Sequence, residues 1–325
     1  FTADLKAMVK AATDLLGDIP YERYVFISIG PGGGGLEHLN SQLITFDAAK
    51  MADPVEYRRT LRFIAHEYFH HFNVKRIRPI ALGPFDYDRE NYTRMMWVCE
   101  GFTVYYEDLL LVRNGFTPRE EYLERLGQGL SAYESSPGRR FQSPADSSFD
   151  SWFGYFDRNE HLRNTTVSPY DSGLVLALLL DFRIRHETRN RRSLDDVMRT
   201  LYRSYAKEQG RGFTDEEFRR VCEDVAGVPL AEIFDRYVAT TDEIDYARYL
   251  AYGGLEVADE GALPGGDLGA DLEDRNGRVV VTRVGIGSGT SLAGLSANDE
   301  ILAVDAVRGD VAKLRDLLSI RRPGE

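Results

Sequence analysis

The sequence predicts an α+β chain: a mainly helical body entered through a short β segment and followed by a small β-rich unit. Three observations carry this. Helix-start signatures and helical apolar periods recur across residues 48–250. The β-favouring runs ahead of that body are confined to residues 24–46. After Tyr252 the composition turns to Gly, Asp and Pro over residues 253–277, and strand-like runs then return. The expected boundary divides the chain into residues 1–252 and 253–325.

Taken in order, Leu5, Met8, Ala12 and Leu15–Leu16 keep a helical period that Gly17 should end. Tyr24–Ile29 and Gln42–Phe46 read as strands on either side of a glycine run. Asp53 can cap the next helix, Pro54 suits its first turn, and Glu56 stands where a capping box needs it. That helix should pass through His66 and His70 and fade near Asn73. A loop to Asn91 leads to a helix expected over Tyr92–Arg113, and Thr117–Glu120 opens another, to about Glu134. Residues 136–166 show no period and read as a long loop, functional or a lid. A helix over Pro169–Glu187 contains the longest apolar run, Leu174–Leu180. Ser193 with Asp196, Thr214 with Glu217, and Pro229 start three further helices, the last ending at Tyr237. In the tail, Arg278–Val284 and Glu300–Val304 read as strands and Val311–Ser319 as a helix.

Composition narrows the function classes. With 325 residues, 43% hydrophobic and 28% charged, the chain reads as soluble, globular and large enough for one or two cores. A net charge of -12 argues against nucleic acid or an anionic membrane as the main partner. The longest apolar run falls far short of the roughly 20 residues of a membrane span. Cys99 and Cys222 are too few for a disulfide framework and are expected to be free and buried. Both chain ends are expected to be cropped, and the compartment, cytoplasmic or periplasmic, stays open.

The chemistry centres on His66-Glu67-Tyr68-Phe69-His70. At 3.6 residues per turn the two imidazoles stand on one helix face, where they can bind one zinc ion; Glu67 lies one step round, placed to act on a water. The alternative at this point is a helix with two hydrogen-bonded core histidines. A catalytic zinc takes three protein ligands, and Glu100, among Trp97, Val98, Phe102 and Val104, is the candidate third. Gly101 beside it marks close packing, since a mid-helix glycine costs about 1 kcal/mol relative to alanine.

The stretch His66–Pro79 together with Trp97–Tyr106 resembles the glycyl aminopeptidase family of gluzincin zinc metallopeptidases, and the likeness extends over nearly the whole chain. It implies a thermolysin-like catalytic domain, one Zn2+ per chain on His66, His70 and Glu100, and Glu67 as general base. Glu107, seven residues after Glu100, shares its helix face and either accepts a hydrogen bond from a ligand histidine or is a solvated surface glutamate. Ser168–Gly173 resembles the Tyr-x-x-Gly element of zinc aminopeptidases, which implies Tyr170 as the group facing the oxyanion. The run ending in Gly34 and Gly35 has no Lys-Ser/Thr after it, so it is no phosphate loop; it reads as a bare edge that a peptide can approach. Gly35–Ser41 resembles the family's exopeptidase element, which implies that Glu37 binds the free α-ammonium of a peptide or protein substrate. His38 departs from the asparagine found there in relatives.

Residues 277–305 look like a bacterial PDZ domain, which the family carries at its C-terminus. It would bind a C-terminal peptide as an added strand, with Gly265–Gly269 as its carboxylate loop. The last PDZ strand and the family's N-terminal β domain are expected to be missing. The implied function is a zinc aminopeptidase acting after Gly or Ala; the rivals are a PDZ-assisted zinc endopeptidase and a peptide-binding scaffold with a structural metal.

Overall fold

A computed structural model of the chain describes residues 1–154, 162–257 and 268–321. Helix α1 (Thr2–Leu16) buries Met8, Ala12, Leu15 and Leu16 and stops at Gly17, whose φ of 72° lies in the left-handed region that glycine adopts freely. Strand β1 (Val25–Ile29) follows. The glycine run then forms a strand of its own, β2 (Gly34–Glu37), ahead of β3 (Ser41–Thr45). The sheet order is β1-β3-β2, with β1 parallel and β2 antiparallel to β3, so β2 has one free edge.

Helix α2 (Pro54–Phe69) starts where expected, its first N–H groups received by the Asp53 carboxylate. It ends one residue before His70, which keeps right-handed helical angles as the cap. The single helix expected over Tyr92–Arg113 is instead α3 (Met96–Cys99) and α4 (Gly101–Arg113), with Glu100 at the junction. The break has a visible cause. The Asn73 side-chain amide donates to the carbonyls of Val98 and Cys99, drawing them out of the regular ladder.

Helix α5 (Arg119–Ser135) has Pro118 as its cap, and Thr117 makes no capping bond. Extended angles at Pro118 put Thr117 one residue too early, and its buried hydroxyl is left without a partner. The expected loop over 136–166 contains short helices: a single 3-10 turn, then α6 (Pro144–Phe149), α7 (Ser151–Gly154) and α8 (Leu162–Thr165). No long period existed because each piece is about one turn long.

Helix α9 (Pro169–Thr188) is the centre of the core. Leu174–Leu180 are all buried, and α3, α4, α5 and a later helix, α11, pack around it. Helices α10 (Leu194–Thr200) and α11 (Asp215–Ala226) both open on complete capping boxes, Ser193 with Asp196 and Thr214 with Glu217. Two π-wound segments, Leu201–Gln209 and Glu232–Val238, and α12 (Tyr246–Ala251) complete the helical body. Cys99 and Cys222 are free and buried. Among the described residues no helix is long and apolar enough to cross a membrane.

In the tail, β4 (Ala270–Arg275), β5 (Arg278–Val284) and β6 (Glu300–Ile301) form an antiparallel sheet in that order, with α13 (Gly289–Leu292) and α14 (Val311–Ser319). Strand β6 is shorter than the expected run to Val304. The chain turns back there, Val304 bridging to Val307 across Asp305 and Ala306, both at positive φ. Most of the expected carboxylate loop, residues 265–267, lies outside the described residues. The Asn164 side chain joins tail to body, donating to the Val284 carbonyl and accepting from the Ile286 N–H.

Candidate metal centre and substrate cleft

The last turn of α2 presents two imidazoles to one point. His66 and His70 have ring centroids 4.6 Å apart at 89°, with Nε2 3.0 Å from Nε2. Each ring is fixed from behind: Glu107 Oε2 lies 2.6 Å from His66 Nδ1, and the Asn73 carbonyl 2.7 Å from His70 Nδ1. Both partners are acceptors, so both Nδ1 atoms carry the proton and both Nε2 atoms offer lone pairs. Glu100 Oε2 completes the point, 3.3 Å from His70 Nε2 and 3.7 Å from His66 Nε2. That oxygen is buried and has no hydrogen-bond donor. The three ligand atoms lie within 4.8 Å of one another. Three converging acceptor atoms repel unless a proton or a cation stands between them, so this donor set fits a metal ion.

The electrostatics agree. Burial alone would depress His66, but the Glu100 and Glu107 carboxylates beside it outweigh that and favour a positive charge on or next to the imidazole. Burial likewise works to raise Glu100, yet the neighbouring His70 and His66 hold its carboxyl far below the usual range. The cluster attracts positive charge from both sides.

Glu100 reaches this point because α4 and α9 touch backbone to backbone. A Cβ on Gly101 would fall 2.1 Å from the Gly173 Cα, and one on Gly173 would fall 2.0 Å from the Trp97 carbonyl oxygen. The same crossing brings in Tyr170, in the first turn of α9 behind the Ser168 cap; its ring lies 6.3 Å from that of His66, nearly parallel. Glu67 is buried beside the cluster, and burial raises its carboxyl to about 6. Strand β2 runs against it: a Cβ on Gly35 would fall 2.2 Å from Glu67 Oε1.

Glu37, at the end of β2, has its Oε1 2.8 Å from Lys75 Nζ. Burial would raise it, but the field of His70 and the Lys75 ammonium keep it lowered. Gly34 lies at the mouth of a cavity of about 570 Å³ shared with His66, Glu107 and Tyr170. Around the His66–His70–Glu100 cluster, Glu37 and Glu100 thus line one cavity and His66, Glu107 and Tyr170 another, with Gly35 against Glu67 beside them.

Two further histidines stand apart. His71 packs among Tyr21, Tyr24, Tyr68 and Phe72, where burial lowers it to about 3. His186 stacks on Tyr252. His161 lies outside the described residues.

Four positioning groups escaped the sequence reading. Asn73 ties His70 to the α3–α4 junction, and Thr103 adds a bond from its hydroxyl to the Asn73 carbonyl. Arg62, one turn before His66, lies 3.8 Å from Glu107. Lys75 holds Glu37. Only Arg62 left a signal, the four-residue spacing to His66.

Residues 59–176 match the glycyl aminopeptidase family, peptidase family M61, as the motifs had implied. Among solved structures, an aminopeptidase N family protein from Idiomarina loihiensis superposes with a TM-score of 0.91 at 28% identity, over 100% of this chain and 59% of its own. The chain therefore spans about three-fifths of that protein. More distant likenesses are an M1 zinc metallopeptidase from Deinococcus radiodurans (TM-score 0.47, 14% identity, 74% of this chain and 45% of that one) and yeast LTA4 hydrolase in complex with bestatin (0.49, 17%, 77% and 35%). No curated protein sequence matches the chain.

Proposed function

We propose that the chain is a zinc-dependent aminopeptidase that cleaves the first peptide bond of substrates with a free N-terminus. The observation that carries the reading is the convergence of His66, His70 and Glu100 next to a buried carboxylate that faces a side-chain-free strand edge. Zinc there would polarise the scissile carbonyl and make a water acidic. Glu67, raised to about 6 by burial, takes the proton from the attacking water and passes it to the leaving amine. The Tyr170 hydroxyl donates to the developing oxyanion. Glu107 fixes the ring orientation of His66 through Nδ1.

A peptide lying along the free edge of β2 brings its ammonium toward Glu37. Glu37 already accepts one ammonium, that of Lys75, and a carboxylate has about four acceptor sites, so a second can join. Residues 253–325 serve as a PDZ-like unit, supported by the β4-β5-β6 sheet and available to a C-terminal peptide. A preference for glycine or alanine has the family resemblance alone behind it.

The decisive comparison is an aminoacyl-anilide against its N-acetylated form, with and without chelator. Hydrolysis of the free-amino form only, abolished by chelator and by Glu67→Gln, is expected; equal hydrolysis of both forms removes the exopeptidase reading. One observation favours a second reading. The occupation of Glu37 by Lys75 suits an endopeptidase that needs no free ammonium, and cleavage within N-terminally blocked peptides would establish it.

A further inference from the structure

Behind the metal centre, the segment that follows α2 carries Lys75, Arg76 and Arg78. All three line a cavity of about 300 Å³, and Lys207 and Arg211 meet them there from the end of the π-wound segment Leu201–Gln209 and just beyond it. The rest of the lining is neutral. Five cations around one concavity stand out in a chain of net charge -12. Three of them are paired with carboxylates outside the lining: Lys75 with Glu37 at 2.8 Å, Lys207 with Asp18 at 2.6 Å and Arg211 with Glu217 at 2.7 Å. Arg76 and Arg78 have no carboxylate partner among the described residues. The half-buried Arg76 guanidinium donates to the carbonyls of Pro20, Leu39 and His71, which fix it without cancelling its charge. The Arg78 guanidinium packs against Gly83, where a Cβ would fall 2.3 Å from Cζ, and makes no side-chain hydrogen bond among the described residues.

We infer that this cavity binds a small polyvalent oxyanion of the phosphate class, and that the bound anion loosens the hold of Lys75 on Glu37. Guanidinium forks match the oxygens of a phosphate two at a time, and a lysine adds a point charge. The two arginines without a carboxylate balance the charge of a phosphate dianion. Arg78 has its full fork to offer, and Arg76 keeps the N–H groups that its three carbonyl partners do not take. The space equals about ten waters at roughly 30 Å³ each, which suits a small anion and not a folded partner. Lys75 lines this cavity and also the one that holds Glu37 and Glu100. An anion here therefore competes with Glu37 for the Lys75 ammonium, and a released Glu37 receives a substrate ammonium with less competition. The binding stands on the cations alone; its effect on hydrolysis rests on the aminopeptidase reading.

The test is calorimetric titration of the zinc-loaded chain with inorganic phosphate at constant ionic strength. One saturable site per chain is expected, weakened about tenfold in Arg78→Gln, the scale of a lost charge-assisted contact. Arg78→Lys, which keeps the charge without the fork, should recover part of that affinity. Lys207→Gln, at a side chain 53% exposed and so tolerant of change, should weaken binding as well. Phosphate that binds equally well in both glutamine variants, or that is lost on chelation, lies at the metal and overturns the site, as does the absence of any saturable heat. With an aminoacyl-anilide, saturating phosphate should lower KM about fivefold in wild type and not in Arg78→Gln. Saturable binding that leaves the wild-type KM unmoved would overturn the link through Lys75. If no free-amino anilide is hydrolysed, the aminopeptidase reading falls, and the calorimetry still decides the site.

Discussion

Gly35 lies directly against the carboxyl group of Glu67, so close that a Cβ at position 35 would fall 2.2 Å from Oε1. No real Cβ contact is that short, so any larger residue moves either β2 or the carboxylate. Gly35→Ala is therefore expected to lower kcat by about 10²-fold, the scale of a 1 Å misplacement. Metal content and Tm should stay near wild type, because His66, His70 and Glu100 sit on other elements. A Gly35→Ala protein with full kcat would sink this account of the strand.

The three-donor cluster predicts one metal per chain. His70→Ala and Glu100→Gln should each bring the bound metal, measured by elemental analysis after dialysis, close to zero. Chelation should also lower Tm. A ligand at 100 times its Kd stabilises the folded state by about 2.7 kcal/mol, and that contribution disappears with the metal. An unchanged melting curve in chelator would show that the three groups hold nothing.

Glu107 predicts a graded effect. Glu107→Gln keeps the shape but weakens the acceptor for His66 Nδ1, which is 2.6 Å from Oε2. Metal affinity should fall about 10–100-fold, with the fold unaltered by circular dichroism. Affinity equal to wild type would return Glu107 to the class of ordinary surface glutamates.

Acid stability should carry a signature of Glu217. The Arg211 guanidinium pairs with both of its oxygens at 2.7 Å, and this bond, with one from the Thr214 N–H, holds the carboxyl down to about 2 from its ordinary 4.5. A folded-state value below the unfolded one means stability fully present above 4.5 and lost as pH falls toward 2. Urea midpoints measured between those limits should fall less steeply in Glu217→Gln than in wild type. Parallel slopes for the two proteins would remove Glu217 from the acid response.

Much of this molecule was legible because its signals are local. The capping boxes at Ser193 and Thr214, the stop at Gly17 and the helix Val311–Ser319 each depend on residues within a turn of one another. The His66–His70 spacing is local in the same sense. What stayed hidden acts through space. The break at Glu100 comes from the side chain of Asn73, and the partner of Glu37 is Lys75, neither of which any periodicity could announce. The one-turn helices of residues 137–154 are too short to impose a period, and β6 ends early because of a turn that β-propensity does not encode.

The contact of Gly101 with Gly173 has a consequence for how such a site can diversify. The helix that carries Glu100 and the helix that carries Tyr170 meet with no side chain between them, one residue from the first and three from the second. Their separation is thus set by two bare backbones and cannot be adjusted by ordinary substitution. Side chains at the rim, such as Lys75, Phe85 and Trp152, can change without moving these helices, while the spacing of Glu100 from Tyr170 is held by the two backbones.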